Sequence, residues 1–566
     1  MELFRNQPLP LLIAVCCFCA ASCGGSKADD QKIITDPDDM NSAVSSQLNT
    51  LINNLSKGKV DDTITLNLPA MVAAFYKENN YKPIWSGEEK WQPSADTLYQ
   101  FINDAQLEGL FANDYHFKNL SSLKKKLDTD SLKRMDAVLW SRADLMFTDG
   151  FMRIIHDLKI GRLQPDSITQ KKDTAQSQNF YTELLQQVVE KNNFSAVIKS
   201  VQPKHKGYWE LKKGIKQFTD SMDKHTYSYV SYPYKKGDIR DSSYFIKALQ
   251  RRLSESGCID FTSHTADSLQ LATAIKKYQQ QKGIKADGKI SSSLIRLMNT
   301  SDAERFKRIA ITLDKYKQME EKMPEKYIWV NLPGYYLWVI EKDSIVLESK
   351  IICGKPETRT PLLTSEITDM ITYPTWTVPT SIIQKGNYIG KLKGNPGYLA
   401  KLGLHLVDRK GQKVDPYNID WGKYSKGIPY KVMQSSGDNN ALGVMKFNFN
   451  NPYAVYLHDT NQRYLFKNAA RALSHGCVRV QEWEKLAFYI ARNDSLKKRP
   501  GDTLRYTTDS IRNWIAAKRY HKIDVKNHIP VYLRYFTCEG KNGKIVFYDD
   551  IYGEDKILRE KYFANK

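Results

Sequence analysis

Cysteine is scarce in this chain, and what is missing around it narrows the chemistry. Beyond residue 23 only Cys258, Cys353, Cys477 and Cys538 occur, widely spaced and with no C-x-x-C pair among them. That spacing builds neither a disulfide framework nor a cysteine-based zinc module. The H-E-x-x-H pattern of helix-borne zinc sites is absent as well. There is no internal repeat and no extended low-complexity tract. Acidic residues are in deficit: 63 Asp and Glu face 84 Lys and Arg, a formal charge of +21. Such an excess suits nucleic acid, an anionic membrane or an anionic polymer such as cell wall. The lysines are scattered and basic runs are short (residues 124–126 are typical). No zinc-finger or RNA-binding signature accompanies them, which argues against a nucleic-acid partner.

With 566 residues and 41% hydrophobic content, the chain is long enough for several domains with ample cores. It opens on "PLPLLIAVCCFCAASC", an apolar run ending in small residues before Cys23. The run is shorter than the roughly 20 apolar residues of a membrane span, so residues 1–23 read as a signal peptide. Ala20-Ala21-Ser22-Cys23 resembles a bacterial lipobox, although Ala20 stands where Leu is commonest. The resemblance implies that Cys23 is lipidated and becomes the mature N-terminus. An ordinary cleaved signal peptide and an uncleaved anchor are the alternatives; all three export the chain. Residues 24–45 are polar and read as a tether.

Residues 46–235 are patterned as a helical domain. In "LPAMVAAFYKENNYKPIW", Leu68, Met71, Val72, Phe75 and Tyr76 recur at 3-4 spacing and Pro83 ends the run. Further helical stretches lie near 94–106, 131–157 and 179–200. His116, His156, His205 and His225 stand apart in sequence and read as structural or surface residues. Residues 236–302 form a small unit. "DSSYFIKALQRRL" starts at an Asp241 cap and aligns Ile246, Leu249 and Leu253; a second helix aligns Leu271, Ile275 and Tyr278; an Asp287-Gly288 turn precedes a third. "ALQRRL", "KYQQQKG" and "ADGKI" in this order resemble the peptidoglycan-binding domain family; a helical packing module without a ligand is the plainer reading. From about 325 the pattern turns to strands, with runs at 444–458, 476–480 and 503–507 and a terminal hairpin turning at Asn542-Gly543. The class is therefore multidomain α+β.

"RALSHGCVRV", residues 471–480, places a cysteine in a polar, glycine-containing turn. In an extended "GCVRV", Val478 and Val480 take one face while Cys477 and Arg479 share the other. Upstream by 19 residues, "AVYLHDT" puts Val455 and Leu457 on one face and Tyr456 and His458 on the other. The thiolate is the nucleophilic form of cysteine; a neighbouring His accepts its proton and nearby cations favour the anion. Gly476 permits unusual φ/ψ, and the N–H groups of Gly476 and Cys477 are candidate oxyanion donors, worth about 3–4 kcal/mol in known cases. His475 is a second imidazole that tunes the thiol, holds the turn or meets substrate. Asp459 either orients the imidazole or makes a structural hydrogen bond. A metal site on His458, Asp459, His475 and Cys477 is disfavoured by the missing motifs above.

"HDT…SHGCVRV" resembles the signature of the L,D-transpeptidase (YkuD-type) family. "GVMKFNFNNPYAVYLHDTNQRYLFKNAARALSHGCVRV", "YPTWTVP", "VDPYNIDW", "NALG", "FYKENNYKPIW" and "LEGLFANDYHF" resemble its large periplasmic class over nearly the whole mature chain. The resemblance implies a helical scaffold, a peptidoglycan-binding-like module and a β-rich catalytic domain over 303–566, with a capping insert at about 381–440. It implies a reaction without cofactor or metal. The bond after the third residue of a peptidoglycan tetrapeptide is cut, D-alanine leaves, a cysteine acyl-enzyme forms, and the amine of a second stem peptide resolves it into a 3→3 cross-link. By position Cys477 is the nucleophile and His458 the base and later acid. Ser474, His475 and Gly476 shape the nucleophile loop, and Tyr456, Arg479, Asp459 and Trp421 meet or hold substrate, with Tyr424 beside Trp421. It also implies an exported lipoprotein facing the periplasm of a Gram-negative-type cell envelope, and a carbapenem target. Many shorter relatives carry Gly where this chain has Asp459. An L,D-carboxypeptidase on the same tetrapeptides and a non-catalytic wall-binding scaffold are the rival functions. Cys258, Cys353 and Cys538 read as buried small hydrophobes.

Overall fold

The structure is a computed structural model that describes residues 31–164, 177–223, 225–231, 242–260, 266–282, 284–425, 427–496, 506–564 and 566. The expected signal peptide with Cys23 and the expected Asp241 cap lie outside them. Among the described residues no helix is long and apolar enough to cross a membrane. The chain divides into two compact units, Met1–Asp96 with Lys118–Asp149, and Thr97–Phe117 with Gly150–Lys566.

The first unit is helical. Its first helix spans Met40–Asn53 and so begins inside the stretch expected to be tether. The reason is that Met40, Ala43 and Val44 bury on the same stripe as Leu48 and Ile52. A polar core sits inside the unit: the Asp144 carboxylate accepts the Tyr76 hydroxyl and the N–H groups of Ile84 and Trp85. Burial pushes Asp144 up to about 6.

In the second unit, helices Ser242–Glu255, Ser268–Gln281 and Ser292–Met298 close a small core around Leu249, Leu253, Leu271, Ile275 and Leu294. Asp267 and Gln270 form a capping box on the middle helix. Gly288, at φ +70°, turns the chain into the third.

The following β domain is built on nine strands. Their order across the sheet is Ala472–Ser474, Ser344–Gly354, Val478–Val480, Leu457–His458, Met445–Phe449, Leu363–Thr372, His521–Arg534, Lys326–Asn331 and Tyr336–Glu341. Tyr336–Glu341 pairs back onto Ser344–Gly354, which closes the sheet on itself and leaves the short Ala472–Ser474 at an edge. Alternating apolar residues, among them Ile328, Leu337, Phe447, Leu457 and Val478, fill the interior.

The stretch 444–458, expected to be one run, is a hairpin. The Asn451 side chain accepts the N–H groups of Tyr453 and Val455 and folds the chain over, so that Met445–Phe449 and Leu457–His458 pair antiparallel. The strand expected at 503–507 falls mostly on residues outside the described set. Of its remainder, Tyr506 is buried and Thr507 caps the helix Thr508–Ala516 through a capping box with Ser510. The terminal hairpin forms, Cys538–Lys541 against Lys544–Phe547, with Asn542 and Gly543 both at positive φ.

The insert is a folded excursion. It leaves after Thr372 and returns at Met445, and these two residues pair directly in the sheet. With its ends clamped together, the segment between them folds on its own core of Val378, Ile383, Leu392, Leu406 and Val432. A four-stranded sheet forms there: Trp376–Thr377, Lys431–Gln434, Leu404–Val407 and Lys413–Val414.

Candidate active site

Three neighbouring strands bring the reactive residues together. Leu457–His458 and Val478–Val480 run parallel, with Leu457 opposite Val478 and His458 opposite Arg479. The Val478 N–H donates to the Tyr456 carbonyl at 3.1 Å, which sets Tyr456 beside Cys477. On the other side Lys446 pairs with His458. Since Leu457, Val478 and Phe447 fill the core, Tyr456, His458, Cys477, Arg479 and Lys446 share the opposite face.

The Tyr456 and His458 rings meet edge to face at 5.6 Å, and the Lys446 ammonium lies 4.1 Å from the centre of the Tyr456 ring. The Tyr456 hydroxyl lies beside the Cys477 thiol and the Trp376 indole of the insert. Burial pushes the Cys477 thiol up; bonds from Tyr456 and the charges of Lys446 and Arg479 act the other way without overcoming it. His458, almost fully buried, is pushed down to about 3, first by burial and then by Arg479; the backbone of Asp459 and Leu442 opposes the shift. Its Nδ1 is buried, with no hydrogen-bond partner among the described residues. Burial thus favours a neutral thiol and a neutral imidazole, while the nearby cations favour the thiolate as expected from their charge.

The nucleophile loop is fixed by its own Ser474 and by two threonines. The Ser474 hydroxyl donates to the Cys477 carbonyl at 2.6 Å and accepts the Gly476 N–H at 3.1 Å. Thr358 donates to the Ser474 carbonyl at 3.0 Å, and Thr360 donates to the Gly476 carbonyl at 2.8 Å. Gly476 sits at φ +126°, a backbone state that favours glycine. One expectation changes here: the Gly476 N–H is spent on Ser474 and is not an oxyanion donor. His475 is exposed at the tip of the loop, its value lowered by desolvation and then by Lys355, Arg479 and Lys385.

Two further residues differ from expectation. Asp459, expected to meet substrate or to make a structural hydrogen bond, is fully buried. Arg463 holds both its oxygens, at 3.0 and 2.6 Å, and the Val444 N–H donates to it at 3.0 Å. Trp421 lies in the insert's own core with its indole N–H donated to the Pro416 carbonyl at 2.8 Å, and Tyr424 packs beside it. Arg479 is placed as expected, its Nη1 donating to Gln462 at 3.0 Å. Lys446 and Trp376 were not anticipated, although strand alternation in "GVMKFNF" sends Lys446 outward. Among the described residues no cluster of three or more His, Cys, Asp or Glu is arranged to hold a metal. Cys258, Cys353, Cys477 and Cys538 are all free, and all but Cys477 are buried.

Family models match three segments in order: a scaffold domain over residues 70–215, a "Putative peptidoglycan binding domain" over 242–298 and the YkuD L,D-transpeptidase catalytic domain over 325–498. A curated protein of Haemophilus influenzae named "Putative L,D-transpeptidase" is 35% identical over 231 residues, 41% of this chain. The match spans 45% of that relative, less than half its length. Among solved structures, an L,D-transpeptidase from Stackebrandtia nassauensis is 13% identical, covers 55% of this chain and 97% of its own, and superposes with a TM-score of 0.16. One from Mycobacterium smegmatis is 12% identical, with coverages of 37% and 58% and a TM-score of 0.17. Superpositions this weak add nothing to the assignment. The chain carries the catalytic domain of the L,D-transpeptidase family, behind a scaffold domain and a peptidoglycan-binding domain.

Proposed function

We propose that this protein is a cysteine-dependent peptidoglycan L,D-transpeptidase that forms 3→3 cross-links. The observation that carries the reading is the shared face of Cys477, Tyr456 and His458 on parallel neighbouring strands, inside the segment that matches the catalytic domain. As the Cys477 sulfur attacks the carbonyl of the third residue of a tetrapeptide, its proton passes to His458. The Cys477 N–H, at the turn into the strand, is the backbone donor that faces the developing oxyanion. The C–N bond to D-alanine breaks, and His458 returns the proton to the leaving amine. The side-chain amine of a second stem peptide then attacks the thioester, gives a proton to His458 and releases Cys477 as a thiol.

The cations around the loop fit an acidic peptide. Lys446, Arg479, Lys355 and Lys385 surround the thiol and His475, and a stem peptide brings carboxylates. Tyr456 acts here as a thiol partner, held by Trp376, rather than only as a substrate contact. Export through residues 1–23, lipidation at Cys23, a periplasm-facing place in the cell envelope and wall attachment through residues 242–298 complete the reading. The test is a carbapenem challenge read by intact mass. One covalent adduct on the wild-type chain and none on Cys477→Ser is expected; an equal adduct on both, or none on either, contradicts the assignment of the nucleophile.

A further inference from the structure

The β domain carries a second concavity, lined by none of the residues around the thiol. On Lys326–Asn331, Ile328 and Val330 enter the barrel core while Tyr327 and Trp329 face out; on Tyr336–Glu341, Leu337 and Val339 enter while Tyr336, Trp338 and Ile340 face out. These outward rings meet the start of the helix Lys206–Asp220 and the strand Cys538–Lys541, and together they enclose a pocket of about 340 Å³. Neither Tyr456, His458 nor Cys477 borders it. That volume lies within the range of small-ligand sites, about 300–1,000 Å³.

Three features define what fits. First, the wall is aromatic and rigid: the half-buried Trp338 ring is backed by Tyr336 at 4.0 Å and 24°, and Tyr316 and Trp329 both contact the His205 ring. Second, two wall residues carry a buried ring nitrogen without a hydrogen-bond partner among the described residues, Trp338 Nε1 and His205 Nε2. His205 Nδ1 accepts the Gly207 N–H at 3.0 Å, so the ring proton is on Nε2 and both orphaned nitrogens are donors. Third, acidic groups border the same space. Glu348 stands opposite Trp338 in strand register, whereas Glu539 is already engaged by the hydroxyls of Tyr336 and Tyr548.

An aromatic box with carboxylates also suits an ammonium ion. The two orphaned donors decide against it, because an ammonium offers them no acceptor. They require a ligand oxygen, and the aromatic wall requires an apolar face. The geometry points to a saccharide subsite that takes one N-acetylated hexosamine ring of a glycan strand. The ring face lies along Trp338, the acetamido carbonyl accepts from the orphaned ring N–H groups, and a ring hydroxyl donates to Glu348. The subsite is distinct from the thiol site and from the peptidoglycan-binding domain, and its existence does not depend on Cys477 chemistry.

The probe is tetra-N-acetylchitotetraose, titrated into the full chain by calorimetry, with cellotetraose and tetramethylammonium as comparators. Saturable binding of the acetylated sugar is expected, with cellotetraose weaker. Trp338→Ala is expected to weaken it about tenfold. Trp338→Phe keeps an aromatic face but removes the indole N–H together with the five-membered ring that carries it; it carries the test if the alanine variant does not fold, and is expected to cost about threefold or more. Cys477→Ala should bind the sugar as the wild type does, and carbapenem labelling should persist in Trp338→Phe. The subsite is overturned by unchanged affinity in Trp338→Phe, by no saturable binding to the wild type, or by preference for tetramethylammonium. None of these outcomes alters the adduct at Cys477.

Discussion

Burial sets the protonation of both reacting groups, and with it the order of events at Cys477. The thiol is pushed above its usual value of 9 and His458 falls from 6.5 to about 3. In the proposed reaction proton transfer then accompanies attack, with burial favouring the neutral imidazole. Iodoacetamide labelling of Cys477 should rise with pH and show its inflection above 9; a plateau beginning near neutrality would falsify the neutral pair. The same burial has a stability consequence. The unfolded chain protonates His458 near 6.5 while the folded chain resists until about 3, so stability is full above 6.5 and is lost as pH falls through that window. His458→Gln should flatten the fall by one proton, measured as the slope of urea-unfolding free energy between pH 6 and 4. Cys477 and His458 were legible in the sequence because the two-residue strand period assigns a face without knowledge of pairing. Lys446 and Trp376 were not, because they reach the site through partners distant in sequence. The role of Asp459 was equally hidden, since only the fold reveals Arg463 and the Val444 N–H against its oxygens.

The loop between Ala472–Ser474 and Val478–Val480 is the element that positions the sulfur, and it is held from outside by the segment 354–360. Thr360 accepts the Gly354 N–H at 2.8 Å while donating to the Gly476 carbonyl. Thr360→Val removes both bonds and leaves a buried carbonyl unpaired; acylation by a carbapenem is expected to slow about tenfold or more with little change in secondary structure. Unchanged acylation would show that the loop holds itself. Gly476→Ala forces a side chain into a left-handed state that costs on the order of 1–2 kcal/mol, and should lower the melting temperature as well as the rate. The insert's separate core explains the misplacement of Trp421. An aromatic residue in a long segment reads alike whether it lines a site or packs a core, and here the insert's own core buries it. Trp376, at the first strand of that insert, is the aromatic that touches the chemistry.

At the scale of the whole molecule, three matched segments lie in order along one chain: scaffold, peptidoglycan-binding domain and catalytic domain. Their order was legible from composition, helix periodicity and motif. What escaped was the closure of the sheet, because it rests on the parallel pairing of Lys326–Asn331 with His521–Arg534, strands far apart in the chain. A positive chain whose proposed nucleophile is flanked by Lys446 and Arg479 suits an acidic polymer. The reaction itself is read most directly by incubating the full chain with purified disaccharide-tetrapeptides and weighing the products. The predicted result is a 3→3 cross-linked dimer with one D-alanine released per dimer, lost completely in Cys477→Ala. Tripeptide monomers alone would make water the acceptor and the protein a carboxypeptidase, and unchanged tetrapeptide would contradict the catalytic reading altogether.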